Sequence, residues 1–143
     1  MKNISRLIFL FLIISLLPFT SFSQSKSGKV KTRLIELFDL CKNDKYPDAA
    51  SYIVYSGDDK SRSWKDVYDY NNEMEAKDVD MVCRRIKSIL ETGSDYEFIK
   101  FQTETETEGE WCIWELKFST GEQKKIYFAF LKIKGKYCLG DID

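Results

Sequence analysis

A chain of 143 residues with 22 basic and 23 acidic side chains is long enough for one buried core, and its scattered positive charge does not suit a nucleic-acid backbone. It has no histidine, which removes the commonest general base and the usual partner of a nucleophilic serine or cysteine. It also lacks a CxxC pair, a glycine-rich phosphate cradle and a GxSxG elbow, so no catalytic or metal-ligating residue is assigned and no cofactor is expected.

Met1 to Ser23 reads as an export signal. Lys2 and Arg6 supply a positive start, and Leu7 to Phe19 is an apolar run broken only by Ser15 and Pro18. Ser21-Phe22-Ser23 then precedes a cleavage expected between Ser23 and Gln24. The 13-residue run is short of the ~20 residues a membrane helix needs, so no membrane association is expected after cleavage. The expected location is a periplasm or the extracellular space. Residues 24–143 keep 20 basic and 23 acidic side chains, a net charge of −3, and are expected to form one α+β domain.

Val30, Leu34, Leu37, Phe38 and Cys41 recur at helical spacing and predict a helix over 28–43. Pro47 suits the first turn of a second helix with Ala50, Ile53 and Val54 on its apolar side. Ser56 to Lys60 has loop composition, and Ser63 is a candidate cap for a short helix carrying Trp64, Val67 and Tyr68. The longest helix is expected over 74–91, buried through Ala76, Val79, Val82, Cys83, Ile86, Ile89 and Leu90 and stopped by Gly93.

From Tyr96 onward, β-branched and aromatic residues crowd together with a turn signal about every ten residues, the pattern of consecutive strands. Strands are expected near 96–107, 110–119, 124–134 and 136–142, with turns at Glu108-Gly109, at 120–123 and at Lys134-Gly135. Short loops make the neighbours antiparallel. Pairing Thr107 with Glu110, Ser119 with Lys124 and Ile133 with Lys136 sets Phe101 opposite Leu116, Leu116 opposite Tyr127 and Leu131 opposite Cys138. One face then collects Ile99, Phe101, Trp114, Leu116, Phe118, Tyr127, Ala129, Leu131, Ile133 and Ile142, and is expected to be the core. The outer face carries Lys100, Gln102, Glu104, Glu106, Glu115, Lys117 and Asp141, and beside them an apolar group of Ile126, Phe128, Phe130, Tyr137 and Leu139. An apolar patch of that size marks an interface, with a second copy of the chain or another protein as partner.

Cys41 and Cys83 fall at apolar helical positions. Cys112 and Cys138 are expected on one sheet face, two strand spacings of about 4.8 Å apart and too far for a bridge. Helix-to-helix and helix-to-sheet bonds stay open, as do four free thiols. Tyr52, Tyr55, Trp64, Tyr68, Tyr70 and Trp114 are candidates to line a ligand site, because an apolar body with a polar tip suits ligand contact.

The order of leading helix, short second helix after Lys42-Asn43-Asp44-Lys45-Tyr46-Pro47, further helices and a four-stranded meander ending in Gly135-Lys136-Tyr137-Cys138-Leu139-Gly140-Asp141-Ile142 resembles the nuclear transport factor 2-like superfamily, and within it the small exported bacterial domains. The resemblance rests on Leu34 to Ala50 and Ile126 to Ile142. It implies a curved sheet wrapped around a helix as a cone, often with a pocket at the open end, and dimerisation through the outer face in many members. A cystatin-like helix-on-sheet fold is the alternative. Enzymatic members commonly place an Asp–His or related pair in the cone, and this chain has no histidine for the Asp–His pair. The expected role is therefore a non-enzymatic binding domain; the alternative is a small-molecule binder or hydrolase-like protein using the cone interior.

Overall fold

The computed structural model describes residues 24–93, 95–119 and 123–143. The predicted signal segment, Met1 to Ser23, and most of the predicted turn at 120–123 lie outside the described residues.

Helix α1, Lys26–Lys42, starts where Ser25 Oγ accepts the Gly28 N–H at 3.2 Å. It buries the predicted stripe of Val30, Leu34, Leu37, Phe38 and Cys41. At its end Asn43 donates to the Asp39 carbonyl at 2.8 Å, and the chain reverses through Asp44 at φ +57°. A single turn, α2 (Tyr46–Ala49), has Pro47 in its first turn and runs into a 3-10 turn over Ala50–Tyr52. Arg33 of α1 holds this corner by donating to the carbonyls of Tyr137 (2.9 Å) and Ser51 (3.3 Å).

Helix α3, Glu73–Thr92, is capped by the Asn72 side chain, which accepts from Met74 N and Glu75 N. Gly93 ends it at a close approach. A Cβ there would lie 2.9 Å from the Phe118 ring, so the helix can meet the sheet only without a side chain at that position.

The sheet is a meander of β1 (Tyr96–Glu106), β2 (Gly109–Phe118), β3 (Lys124–Ile133) and β4 (Lys136–Ile142), in that spatial order and antiparallel throughout. Register breaks at Ile99 in β1 and Gly140 in β4 curve it. α1 and α3 cover one face, giving an α+β fold with a curved sheet. Its core is built from Leu34, Leu37, Ile86, Leu116, Phe118, Phe128 and Phe130. No described helix is long and apolar enough to cross a membrane.

The hairpins correct the expected registers. Ile133 does face Lys136, because Lys134 and Gly135 (φ +47° and +85°) make the two-residue turn that both residues signal. The first hairpin instead turns on Thr107-Glu108, so Phe101 faces Trp114, a slip of two residues that leaves the faces unchanged. Between β2 and β3 the slip is one residue: Leu116 faces Ile126 and Cys112 faces Phe130. A one-residue slip inverts a strand. Ile126, Phe128, Phe130 and Leu139, expected outside as an interface, therefore form the core under the helices, with Tyr137 packed beside them. Tyr127 and Ala129, expected inside, face outward, and Ile99 in its bulge is 46 % exposed. The strand 124–133 is apolar at both parities, so alternation alone does not choose its inner face.

Two other expectations change. Ser63 caps no helix: residues 59–65 form turns, and Val67 pairs with Val54 in an isolated antiparallel bridge. Cys112 and Cys138 lie on opposite faces of the sheet, packed into different clusters. All four thiols are free and buried. Cys41 and Cys83 meet between α1 and α3, where the Cys83 thiol and then burial push the Cys41 thiol far above its ordinary range.

Candidate functional site

The face of the sheet away from the helices has two halves. The first is covered. After the 3-10 turn the chain crosses the β4 edge, with Ile53 in a parallel bridge to Leu139 and Val54 N donating to the Leu139 carbonyl at 2.8 Å. The segment from Val54 to Tyr70 then folds back, so that Val54, Trp64 and Val67 pack on Leu131, Ile133 and Cys138. Trp64 holds φ +63°, a region a bulky residue rarely occupies, and its ring meets Trp111 edge-on at 5.6 Å. Gly140 lets this happen, since a Cβ there would lie 2.6 Å from the Trp111 ring.

Arg62 ties this flap down. Its guanidinium donates to Glu75 at 2.6 and 3.2 Å, to Asp66 at 3.0 Å and to the Val67 carbonyl at 3.0 Å, while lying 4.3 Å over the Tyr55 ring. Glu75, only 7 % exposed at the start of α3, also accepts the Asp69 N–H at 2.7 Å. Arg62 holds the Glu75 carboxyl below the usual carboxylate range. Asp66 drops to about 2, first because Lys134 donates to it at 2.9 Å and then because Arg62 does.

The second half is open. Trp111 and Ile113 of β2 and Tyr127 and Ala129 of β3 floor a groove of about 380 Å³. Its walls are Gln102, Glu104 and Glu106 of β1 on one side and Asp141 and Asp143 at the end of β4 on the other. None of the four wall carboxylates is in an ion pair among the described residues: Glu104 accepts only from Gln102 (3.1 Å), and Asp141 only from the Ile142 N–H (2.9 Å). By contrast Glu115, next along the same face, is buried and paired to Lys125 at 2.7 Å. Trp111 Nε1 is buried with no acceptor among the described residues.

The sequence-predicted ligand aromatics do not converge. Tyr55 and Tyr68 pack edge-on at 5.2 Å inside the flap, their hydroxyls accepting from Asp59 N and Ser56 N. Tyr52 lies under Arg33 at 3.5 Å and donates to Glu36. Tyr70 donates to Asp80 at 2.9 Å. Trp114 is on the helix side, donating to the Ser27 carbonyl at 3.2 Å between Phe98 and Phe101. Trp64 alone reaches the outer face, through Trp111. A second cleft of about 330 Å³, between the ends of α1 and α3 at Tyr96, includes none of these six.

Sequence reasoning missed Trp111 and Tyr127 as site residues. The expected register put Trp111 at an outward position opposite Glu106, and the structure keeps it outward opposite Glu104, but Tyr127 followed the inverted strand. The groove holds carboxylates and flat rings without a nucleophile beside a base, and no group of three or more potential ligands among the described residues is placed to hold a metal. A scan against protein-family models finds no match, and searches of the curated proteins and of the solved structures find none either.

Proposed function

We propose that this chain is an exported, non-enzymatic domain that binds a protein partner through the open half of its outer sheet face. The carrying observation is the groove floored by Trp111, Ile113, Tyr127 and Ala129: apolar and aromatic side chains left uncovered between acidic walls, on a sheet whose other face is closed by helices. Tyr127 stays 36 % exposed there. The charged start and short apolar run of Met1 to Ser23 support export. We read the fold as nuclear transport factor 2-like rather than cystatin-like. That reading is supported by the two helices preceding a bent four-stranded meander and by the Ile53–Leu139 parallel bridge beside the last strand. The helix-facing side of the sheet is filled by Phe118, Phe128 and Phe130, which favours the outer face over the cone interior as the place of binding.

A photo-crosslinking side chain at Tyr127, in cells that produce the protein, tests the reading against the same group at Met81, which is 63 % exposed on α3. A discrete crosslinked species from position 127 and none from position 81 is expected. Equal yields from both, or none from either, would count against outer-face binding.

A further inference from the structure

We infer that the occupant of the groove is an extended protein segment carrying two basic side chains about four residues apart with apolar residues between them. This rests on the outer-face reading above and goes beyond it by naming the recognised chemistry. The argument starts from the strand order. Glu104 and Glu106 stand on β1 and Asp141 and Asp143 at the end of β4, so the two acidic walls are separated by the width of β2 and β3. Three strand spacings of about 4.8 Å put β1 about 14 Å from β4, with Glu104 and Asp141 offset by two residues along the strands. A single small cation cannot satisfy both walls, whereas an extended chain rising about 3.3 Å per residue spans them in about four residues. Between the walls the floor offers Trp111, Ile113, Tyr127 and Ala129, whose polar side-chain groups are only the Tyr127 hydroxyl and the buried Trp111 Nε1. The middle of the segment is therefore apolar.

Charge selects the ends. The four carboxylates have no cationic partner among the described residues, while nearby Glu115 has Lys125, so the wall is left negative at the place where the floor is open. An arginine or lysine passing over Trp111 or Tyr127 to reach a wall gains from the ring face as well as from the carboxylates. The same charge disfavours a second copy, because a symmetric contact centred on the groove would set the four carboxylates against themselves.

The experiment uses the purified protein and three fluorescently labelled pentapeptides: arginine at both ends with three apolar residues between, the same with arginine at one end, and the same with glutamate at both ends. The double-arginine peptide is expected to bind, the single-arginine peptide about tenfold more weakly, and the glutamate peptide not measurably. Raising the salt from low ionic strength weakens the binding. Glu104→Gln and Asp141→Asn each weaken it about two- to fivefold, and Tyr127→Ala does so by a similar factor through the floor. All three positions are at the surface, so the variants stay folded, as a far-ultraviolet spectrum checks. Equal binding of the glutamate peptide, lost in Tyr127→Ala, would overturn the basic-segment proposal while leaving outer-face binding in place. Self-association that Tyr127→Ala abolishes, with no peptide bound, would do the same. Binding indifferent to all three substitutions would overturn both.

Discussion

The two faces of the sheet are made from the same strands yet differ in what closes them. The helix side is sealed by α1 and α3, and its large side chains, such as Phe118, Phe128 and Phe130, have essentially no contact with water. The outer side is sealed over only part of its area, by a flap that has no regular secondary structure and is held by Arg62, by Lys134 on Asp66 and by a small apolar cluster. Hydrophobic burial can close a face without much help, whereas a polar flap needs charge-assisted hydrogen bonds to stay in one place. The region where neither device reaches is the groove.

Adjacent residues of β3 give the largest test of this difference. Phe128→Ala opens a cavity in the sealed core and is expected to cost about 3–5 kcal/mol. Tyr127→Ala, one residue earlier and outward, is expected to cost less than about 1 kcal/mol. Urea denaturation followed by circular dichroism measures both. If the two costs are equal, the face assignment of β3 is wrong.

That strand also shows how far the sequence could be read. Both long helices were legible, because Val30, Leu34, Leu37 and Cys41 in one, and Val79, Cys83 and Ile86 in the other, keep helical spacing, and Gly93 stops the second; the caps at Ser25 and Asn72 were not read. The meander and the Lys134-Gly135 turn were legible for the same local reason. The face of β3 was not. Its apolar residues occupy both parities, because the even positions meet the helices while Leu131 and Ile133 meet the flap. A strand buried on both sides loses the alternation that fixes register. The flap was hidden too: Trp64 at positive φ, the Val54–Val67 bridge and the Arg62–Glu75 pair join segments in ways that no local pattern encodes.

Breaking the flap comes next in size. Arg62→Ala leaves Glu75 buried with only the Asp69 N–H, and is expected to cost about 2–3 kcal/mol. The loss should concentrate in the flap: amides from Tyr55 to Tyr68 exchange faster with deuterated water, while those of β2 and β3 do not. Arg62→Lys keeps the charge but not the fork that donates to both Glu75 oxygens, and recovers only part of the loss. Uniform acceleration across the sheet would mean that the flap is not a separately held layer.

Asp66 offers a smaller and pH-dependent version of the same break. Its carboxyl titrates at about 2 in the folded chain against an ordinary 3.8, so its stabilisation is complete above about pH 4 and is lost as the pH falls towards 2. Asp66→Asn is therefore expected to cost about 1 kcal/mol at pH 7 and only a small fraction of that near pH 2. Denaturation midpoints at the two pH values decide it; a difference that persists undiminished at pH 2 would show that Asp66 acts through its shape rather than its charge.

The smallest effect lies at the boundary between the two halves. Trp111 sits where the flap ends and the groove begins, its ring against Trp64 and its Nε1 buried without an acceptor among the described residues. Trp111→Phe keeps an aromatic ring on Trp64 and removes the unsatisfied donor, so the lost contact area and the relieved desolvation oppose each other. Stability is expected to stay within about 1 kcal/mol of the parent. Peptide binding, in contrast, should fall about two- to fivefold, since a smaller ring gives a cation less face to lie on. A variant that loses binding without losing stability would show that Trp111 faces the groove as a recognition surface. A variant that loses both in parallel would make it part of the seal.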